Sequence, residues 1–241
     1  RYEFLFFERL IMANLKQHKL GWIGIGRMGY AMAERLAKAG CDISVWNRTR
    51  AKAEPLAQSG AKVVDALTDL AACDIVFSMV STGKDVKEVL FGPGGVMSQG
   101  KMPKIVVDST SISIEESAGI RKQLAGHGVK FLAAPVSGNA KVIKAGKLTV
   151  VASGPQDAFD AVNPYFAAIG RGVTYVGEGE LSRIAKICHN VMLGVVIQNL
   201  CEITVLAEKA GMQRHAFLDF LNQRVMGSMF TRYKSPALVN L

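Results

Sequence analysis

A glycine-rich turn between an apolar strand and an amphipathic helix constrains this chain of 241 residues more than any other feature. Residues 24–29 fit the pattern G-x-G-x-x-G, directly after an apolar run over 20–25 and before a helical pattern over 28–39. In such a unit the first glycine permits a tight turn, the second lets a pyrophosphate approach the backbone, and the third lets the helix pack closely on the strand. The helix start adds free N–H groups and a partial positive charge, which favour an anion. The motif predicts a dinucleotide-binding turn whose contacts are Gly24, Gly26, Arg27, Met28 and Gly29.

From residue 20 to residue 179, short apolar runs alternate with helical patterns. Strand-like runs lie at 20–25, 42–46, 75–80, 105–107, 129–134, 148–152 and 173–176. Helical patterns lie at 28–39, 51–58, 84–90, 114–125 and 156–168, and then at 181–210 and 214–222. The alternation is typical of a parallel sheet with helices on both faces. We predict an α/β Rossmann-type, doubly wound parallel sheet over 19–179, followed by an all-α C-terminal domain over 180–241.

The first eighteen residues precede this pattern. Residues 1–11 carry an aromatic patch interrupted by Glu3, Glu8 and Arg9, and they lack the long apolar centre and cleavage site of a signal peptide. Met12 opens a more conventional start. We predict that residues 1–18 are a leader outside the fold, with residues 1–11 an upstream extension.

Charge, hydropathy and cysteine content argue against several function classes. The chain has 29 basic and 20 acidic residues, a net charge of +9, but the bases are scattered, so no nucleic-acid partner is predicted. An anionic cofactor and an acidic substrate account for the excess. No uninterrupted apolar run reaches the ~18 residues expected of a membrane span, so no membrane association is predicted. The four cysteines lack metal-ligand spacing, which predicts no metal site and reduced, mostly buried thiols in a cytoplasmic protein.

The end of the second predicted strand bears on the choice of cofactor. NAD sites usually place an acid about 20 residues beyond the glycines, on the ribose 2′-hydroxyl, but residues 45–50 contain none. Asn47, Arg48 and Thr49 can donate hydrogen bonds to a 2′-phosphate, and a guanidinium can clamp it. A polar turn is the simpler interpretation of these residues alone. With the preceding glycines they favour NADP(H), with NAD(H) as the alternative.

Two loops after predicted strands are candidates for the substrate site. Ser109 and Thr110 lie at the sheet edge where ligands of open α/β sheets bind. In residues 134–139, Ser137 and Gly138 can offer a hydroxyl and a backbone N–H to a carboxylate. Either loop could equally begin a capped helix.

Lys186 and Asn190 lie four residues apart, and therefore on one face of the long predicted helix. That helix is mostly apolar, so we predict that it is buried. Since an isolated buried lysine is costly, the pair is predicted to line a cavity. A lysine that snorkels at a helix end is the alternative. Cys188 and His189 are predicted to be core or supporting residues and not catalysts.

In this combination and order, the motifs resemble the β-hydroxyacid dehydrogenases of the 6-phosphogluconate dehydrogenase superfamily, the relatives of 3-hydroxyisobutyrate dehydrogenase and glyoxylate/succinic semialdehyde reductase. The resemblance covers about residues 20–240 and rests on the segments 24–29, 46–49, 108–110, 134–150 and 186–190. It implies a Rossmann-type domain joined through a long helix to a helical domain, in a homodimer or homotetramer.

The resemblance also implies roles for individual residues. Lys186 would be the general acid/base on the substrate oxygen, and Asn190 would hold the substrate. Ser137 and Gly138 would bind its carboxylate, and Thr110 would lie near the nicotinamide. The implied reaction is reversible hydride transfer between NADP(H) and a small 3-hydroxy acid or semialdehyde.

The sequence departs from the family pattern at three places. The family commonly reads Asp-Ala-Pro-Val-Ser-Gly-Gly, whereas this chain has Ala133 and Asn139 at the first and last positions. Asn139 would add a side chain beside the carboxylate subsite, so we include it among the predicted substrate-binding residues, and the substrate's identity stays open. Family members continue through further helices with a Lys-Asp pair, so we expect the sequence ending at Leu241 to be part of a longer chain.

Two other functions remain as alternatives. One is imine reduction, which a sister group catalyses, usually with another residue at the lysine position. The other is a catalytically silent Rossmann scaffold that binds protein or chromatin, in which that lysine is typically lost. The presence of Lys186 and Asn190 favours the dehydrogenase.

Overall fold

The computed structural model describes residues 15–240, and within them a parallel sheet follows the order β3-β2-β1-β4-β5-β6. Its strands are β1 (Leu20–Ile23), β2 (Ile43–Trp46), β3 (Lys62–Val63), β4 (Ile75–Ser78), β5 (Ile105–Asp108) and β6 (Lys130–Ala133). Its helices are α1 (Arg27–Lys38), α2 (Gly83–Phe91) and α3 (Ile114–Gly126). The strand order reverses between β1 and β4, which is where doubly wound sheets bind ligands. The predicted Rossmann-type sheet is confirmed.

A second, smaller sheet follows along the chain. It consists of β7 (Val136–Ser137), β8 (Thr149–Ala152) and β9 (Gly172–Tyr175), with α4 (Ala140–Lys144) and α5 (Gln156–Ile169) between them. β7 runs antiparallel to β8, and β9 runs parallel to it. The last two predicted strands therefore lie outside the main sheet, because apolar periodicity identifies a strand without identifying its neighbour.

The main sheet is buried on both faces, which explains why its strands read as continuous apolar runs. Trp22 and Phe77 stack on one face with ring centroids 5.4 Å apart. Ile23 and Val76, the neighbours in sequence of these two residues, belong to the apolar cluster on the opposite face. Each such fully buried apolar side chain contributes about 1.5–3 kcal/mol to folding.

Short elements between β2 and β4 differ from the predicted pattern. The predicted helix over 51–58 consists of two 3₁₀ segments, Arg50–Lys52 and Glu54–Ser59. A third 3₁₀ segment, Leu67–Ala72, and the two-residue β3 were not predicted. Elements this short carry too few residues for a periodicity to emerge.

Within the described residues, the chain divides into two compact units between Lys186 and Ile187. The second unit is helical, with most of α6 (Leu181–Lys209), α7 (Arg214–Asn222) and α8 (Met229–Val239). Leu200, Leu218 and Leu238 form its small buried core. The predicted all-α region after the sheet is confirmed, although α8 was not predicted.

The end of the predicted leader packs on the α/β unit. Leu15 is buried, and His18 Nδ1 lies 3.0 Å from the Tyr165 hydroxyl oxygen. Residues 15–18 therefore belong to the fold, and their assignment to a leader outside the fold is wrong. The hypothesis about residues 1–11 falls outside the described residues.

Most of α6 is exposed, contrary to the prediction of a buried helix. Ile187, Val191 and Val195 are 52%, 61% and 59% exposed. By length and composition alone, α6 could cross a membrane. The search for an uninterrupted apolar run did not identify this helix, because polar residues interrupt its apolar sequence. One such helix is weak evidence for a span, because core helices of soluble proteins pass the same test. The absence of membrane association stays a prediction.

The four cysteines are free thiols in two environments. Cys41 and Cys73 are buried, and burial raises the pKa of each thiol to about 11. Cys188 is exposed and Cys201 is half-buried. The prediction of burial is thus right for the first two and wrong for Cys188, whose neighbour His189 is exposed as well.

Candidate functional site

The three glycines of the turn after β1 differ in whether the fold requires a glycine at their position. Gly24 has φ +94°, and a Cβ there would lie 2.2 Å from the Met79 carbonyl oxygen. A Cβ on Gly29 would lie 2.0 Å from the Gly24 carbonyl oxygen. A Cβ on Gly26 would meet nothing within 4 Å, and its φ of −78° suits any residue. The described fold therefore requires Gly24 and Gly29, whereas Gly26 leaves open space of the kind a ligand needs.

The N-terminus of α1 faces this open space. Gly26 is its N-cap, and within the described chain no side chain caps this helix end. The N–H groups of the first turn are thus available to an anion, and the helix dipole adds to the attraction. These residues fit a dinucleotide's pyrophosphate.

A cavity of ≈ 550 Å³ lies at the carboxyl ends of β1 and β4. The predicted cofactor residues that line it are Gly24, Gly26, Arg27, Met28, Gly29, Asn47, Arg48 and Thr49. Of the predicted cofactor set, Thr110 alone is not in this lining. The structure therefore brings together the glycine turn and the end of β2.

Asn47 connects these two elements rather than facing the cavity with a free amide. Its Oδ1 accepts from the Ile25 N–H at 2.8 Å, and its Nδ2 donates to the Thr49 carbonyl at 2.8 Å. The Arg48 side chain is 88% exposed, with Nη1 3.9 Å from Asp85 Oδ1. Arg48 and Thr49 are consequently the more available donors for a 2′-phosphate.

Several cavity residues were not predicted from the sequence. They are Lys52, Leu67, Met79, Val80, Ser81, Asp85, Glu88 and Pro93, with Ile25, Trp46 and Val89. The segment 79–81 directly follows β4, so the rule that ligands bind at the carboxyl ends of the strands flanking the reversal could have identified it. The lining has mixed charge, because it includes the acidic Asp85 and Glu88 as well as the basic Arg48 and Lys52.

A second cavity of ≈ 630 Å³ lies beside the edge strand β3. It contains none of the predicted site residues. Asp65, in its wall, pairs with Arg50, and Asp69 accepts from the Ala66 N–H at 3.1 Å. Its carboxylates already have partners, and we assign it no ligand.

Thr110 links β5 to the first cavity. It is buried, and its Oγ1 accepts from the N–H of Val80, a cavity residue, at 3.1 Å. Its hydroxyl therefore fixes the backbone beside the cavity. The adjacent Ser109 is also buried.

The segment after β6, which includes β7, contains the predicted carboxylate subsite. Ser137 is half-buried, and Gly138 has φ +140°. Asn139 caps α4, because its Oδ1 accepts from the Val142 N–H at 3.1 Å. The helix-cap interpretation thus accounts for the side-chain oxygen of Asn139, and substrate binding by these three residues stays a prediction.

Lys186 lies one turn beyond the anchored start of α6. Ser182 Oγ donates to the Ala133 carbonyl at 2.9 Å, and Arg183 Nη2 donates to Asp108 Oδ2 at 2.7 Å, so this turn is fixed to the ends of β6 and β5. Lys186 is half-buried, and burial lowers its pKa below the ordinary lysine value. Asn190 is exposed and belongs to the second unit, and its role stays a prediction.

Residues 19–177 match the family model described as the NAD binding domain of 6-phosphogluconate dehydrogenase. The chain belongs to the β-hydroxyacid dehydrogenase family. The NAD(P)-binding domain of this family therefore corresponds to the unit that contains the glycine turn and the first cavity.

Individual members of the family and its superfamily resemble the chain over most of its length. It is 30% identical over 221 residues to glyoxylate/succinic semialdehyde reductase 2, chloroplastic, of Arabidopsis thaliana, covering 91% of this chain and 62% of the relative. It is 32% identical over 218 residues to the cytokine-like nuclear factor N-PAC of Xenopus tropicalis, covering 90% of this chain and 41% of that relative. A solved structure, Psf3 in complex with NADP+ and 2-OPP, superposes with a TM-score of 0.79 at 25% identity, covering 92% and 78%. The chain spans less than two thirds of the length of these two curated relatives.

Proposed function

We propose that this chain carries the cofactor site and the acid/base residue of an NADP(H)-dependent oxidoreductase acting on a CH–OH group. Its substrate would be a small 3-hydroxy acid or a small semialdehyde. The observation that carries the proposal is that the open cavity at Gly26 and the anchored helix turn before Lys186 both adjoin the carboxyl ends of the main-sheet strands. The name of the Arabidopsis relative and the NADP+ in the solved structure support it.

The residues around the cavity fit the cofactor's charged groups. The N–H groups at the start of α1 would hold the pyrophosphate, and Arg48 and Thr49 would hold the 2′-phosphate. When bound, the nicotinamide donates or accepts a hydride at C4. Ser137 and Gly138 would bind the substrate carboxylate, and Asn190 would orient the substrate.

Lys186 would move the proton that accompanies the hydride. In reduction its ammonium gives a proton to the substrate oxygen, and in oxidation its neutral amine removes the hydroxyl proton. Free lysine titrates at ~10.4, which leaves little neutral amine at physiological pH. Burial lowers the pKa of Lys186, so more of the amine is available as a base.

The proposal is tested by the loss of NADPH absorbance with glyoxylate, tartronate semialdehyde and succinic semialdehyde, beside a cyclic imine of similar size. We expect at least one of the semialdehydes or glyoxylate to be reduced and the imine to be left unchanged. Reduction of the imine alone would instead indicate an imine reductase.

A silent scaffold is the second candidate, favoured by the similarity to N-PAC, whose name describes a nuclear factor and not an enzyme. It predicts that NADPH binds, as measured by fluorescence, and that none of these compounds oxidises it. The two candidates therefore differ in turnover and not in cofactor binding.

Replacing Arg48 with alanine is expected to weaken NADPH binding about 10–100-fold, because a charge-assisted hydrogen bond contributes about 1.5–3 kcal/mol. Binding of NADH, which lacks the 2′-phosphate, should change less than about 2-fold. Arg50→Ala is the control, since Arg50 pairs with Asp65 and Glu54 and does not line the cavity. Equal losses of affinity for NADPH and for NADH would contradict an NADP(H) preference set by Arg48.

We also propose that the chain forms a homodimer or homotetramer in which a second copy covers the exposed apolar residues of α6. Light scattering should give a mass of two or four chains. Val191→Glu together with Val195→Glu should reduce it to one, because burying the new carboxylates would be costly. Val225→Glu is the control, since Val225 is 98% exposed and lies outside α6. A monomeric wild type, or an oligomer unaffected by the α6 changes, would refute this arrangement.

The cytoplasm is the compartment we propose. Unpaired cysteines, including the buried Cys41 and Cys73, are typical of a reducing compartment. Recovery of the native protein in a membrane or organelle fraction of its source cells would contradict this assignment.

A further inference from the structure

A buried arginine joins the start of α6 to the end of β5. Arg183 is 3% exposed and Asp108 is 0% exposed. Arg183 Nη2 lies 2.7 Å from Asp108 Oδ2, and Nη1 donates to the Thr110 carbonyl at 2.7 Å. We call these three residues the Arg183 clamp.

The Arg183 clamp sits in a larger charged network. Asp108 Oδ1 also accepts from Ser78 Oγ at 2.7 Å. Arg183 Nε makes no hydrogen bond within the described residues and faces Glu180 Oε2 at 3.7 Å. Glu180 is held in turn by Arg121, whose Nε donates to it at 2.8 Å. One guanidinium thus lies between two carboxylates that other residues fix in place.

Stability alone is a weak explanation for such a network. Removing two charges from water is expensive, and well-packed apolar residues of similar size often hold two elements together at least as well. What a guanidinium supplies, and an apolar contact does not, is directed hydrogen bonding to a carboxylate and a carbonyl at the same time. The Arg183 clamp therefore sets a defined geometry between α6 and the loop after β5.

The two segments that the clamp joins, the start of α6 and the loop after β5, each lie next to groups that the proposed reaction uses. Arg183 precedes Lys186 by three residues on α6, so their side chains share one face of the helix. At the other end, Thr110 bonds to Val80, which lines the cofactor cavity. The clamp is thus a polar connection, through Thr110, between the turn that leads to Lys186 and the cavity wall.

We infer that Arg183 is a positioning residue that fixes Lys186 relative to the cofactor cavity. This inference rests on the proposed function. Arg183 is not among the residues that line the cavity and acts through Lys186 and Thr110. A misplacement of about 1 Å at a reacting group can lower a rate about 10²-fold, which sets the expected size of the effect.

The test compares Arg183→Gln and Arg183→Lys with Arg35→Gln in the full chain. Arg35 is the matched control, because its Nε donates to the Ala168 carbonyl at 2.9 Å and it lies in the last turn of α1, away from the clamp. We expect Arg183→Gln to lower kcat about 10–100-fold while the NADPH dissociation constant changes less than about 3-fold. Arg183→Lys should recover part of kcat, because it keeps the charge and a donating nitrogen but not the planar fork of a guanidinium. Arg35→Gln should keep the wild-type kcat even if its melting temperature falls as far as that of Arg183→Gln.

The outcomes separate this inference from the proposed function. If the wild type turns over and Arg183→Gln keeps its kcat, or loses kcat and NADPH binding in the same proportion, the inference is overturned and the proposed function stands. If the wild type binds NADPH without any turnover, the proposed function fails. Hydrogen exchange then tests the clamp itself: Arg183→Gln should speed exchange of the amides at 109–110 and 183–186 but not those at the end of α1. Unchanged exchange would overturn the inference.

Discussion

Replacing Lys186 with alanine is expected to lower kcat about 10²–10⁴-fold, the range that a positioned acid or base contributes. NADPH binding should remain close to that of the wild type, because Lys186 is not among the residues that line the cofactor cavity. Steady-state kinetics and NADPH fluorescence titration measure the two quantities separately. Lys209→Ala is the control, since Lys209 ends the same helix and is exposed. Retained turnover in Lys186→Ala would reject the assignment.

The pH dependence of the wild type supplies a second readout for Lys186. The neutral amine is the base in oxidation, so the oxidation rate should rise with pH through the pKa of Lys186. Burial lowers that pKa, so the rise should be centred below ~10.4. The reduction rate should fall over the same interval, because it needs the ammonium form. An oxidation rate that stays flat from about pH 6 to 10 would argue against a titrating lysine.

The same substitution at two glycines of one turn is expected to have opposite consequences. Gly26→Val should leave the fold intact, because a Cβ there would meet no described atom within 4 Å. It should abolish measurable NADPH binding, because the new side chain would fill the open space that the pyrophosphate needs. Gly29→Val should unfold or strongly destabilise the protein, since even a Cβ would lie 2.0 Å from the Gly24 carbonyl oxygen. Melting curves and NADPH titration of both variants measure the two effects.

The contrast between Gly26→Val and Gly29→Val is itself the control, because the added side chain is identical. Tight NADPH binding by Gly26→Val would show that the cofactor does not approach this turn. A Gly29→Val variant as stable as the wild type would show that α1 packs on the strand differently from the arrangement described here.

The Rossmann-type unit could be predicted because its signals are local. The glycine turn and the buried runs that became β1, β4 and β5 each fit within a few residues. The two-residue strands β3 and β7 were missed because they are too short for a pattern. Leu15 was assigned to the leader because one apolar residue before a strand gives no indication of what it packs against.

The parts that sequence reasoning did not find depend on contacts between distant residues. Asp108 and Arg183 are 75 positions apart, and no local pattern pairs them. The cost of burying a lone charge, which singled out Lys186, applies equally to Arg183 in the same apolar helix and could have identified it. The exposure of α6 was also mispredicted, because apolar composition does not specify which surface covers a helix.

Transfer of deuterium from NADPH to the product tests the central claim most directly. The full chain would be incubated with glyoxylate or a semialdehyde and NADPH carrying deuterium at both C4 positions, and the hydroxy acid would be analysed by mass spectrometry. We predict that one deuterium appears on the carbinol carbon with the wild type and that the rate of its appearance falls about 10²–10⁴-fold with Lys186→Ala. Saturation of the chain with NADPH, without deuterium in any hydroxy acid, would contradict a hydride-transferring enzyme.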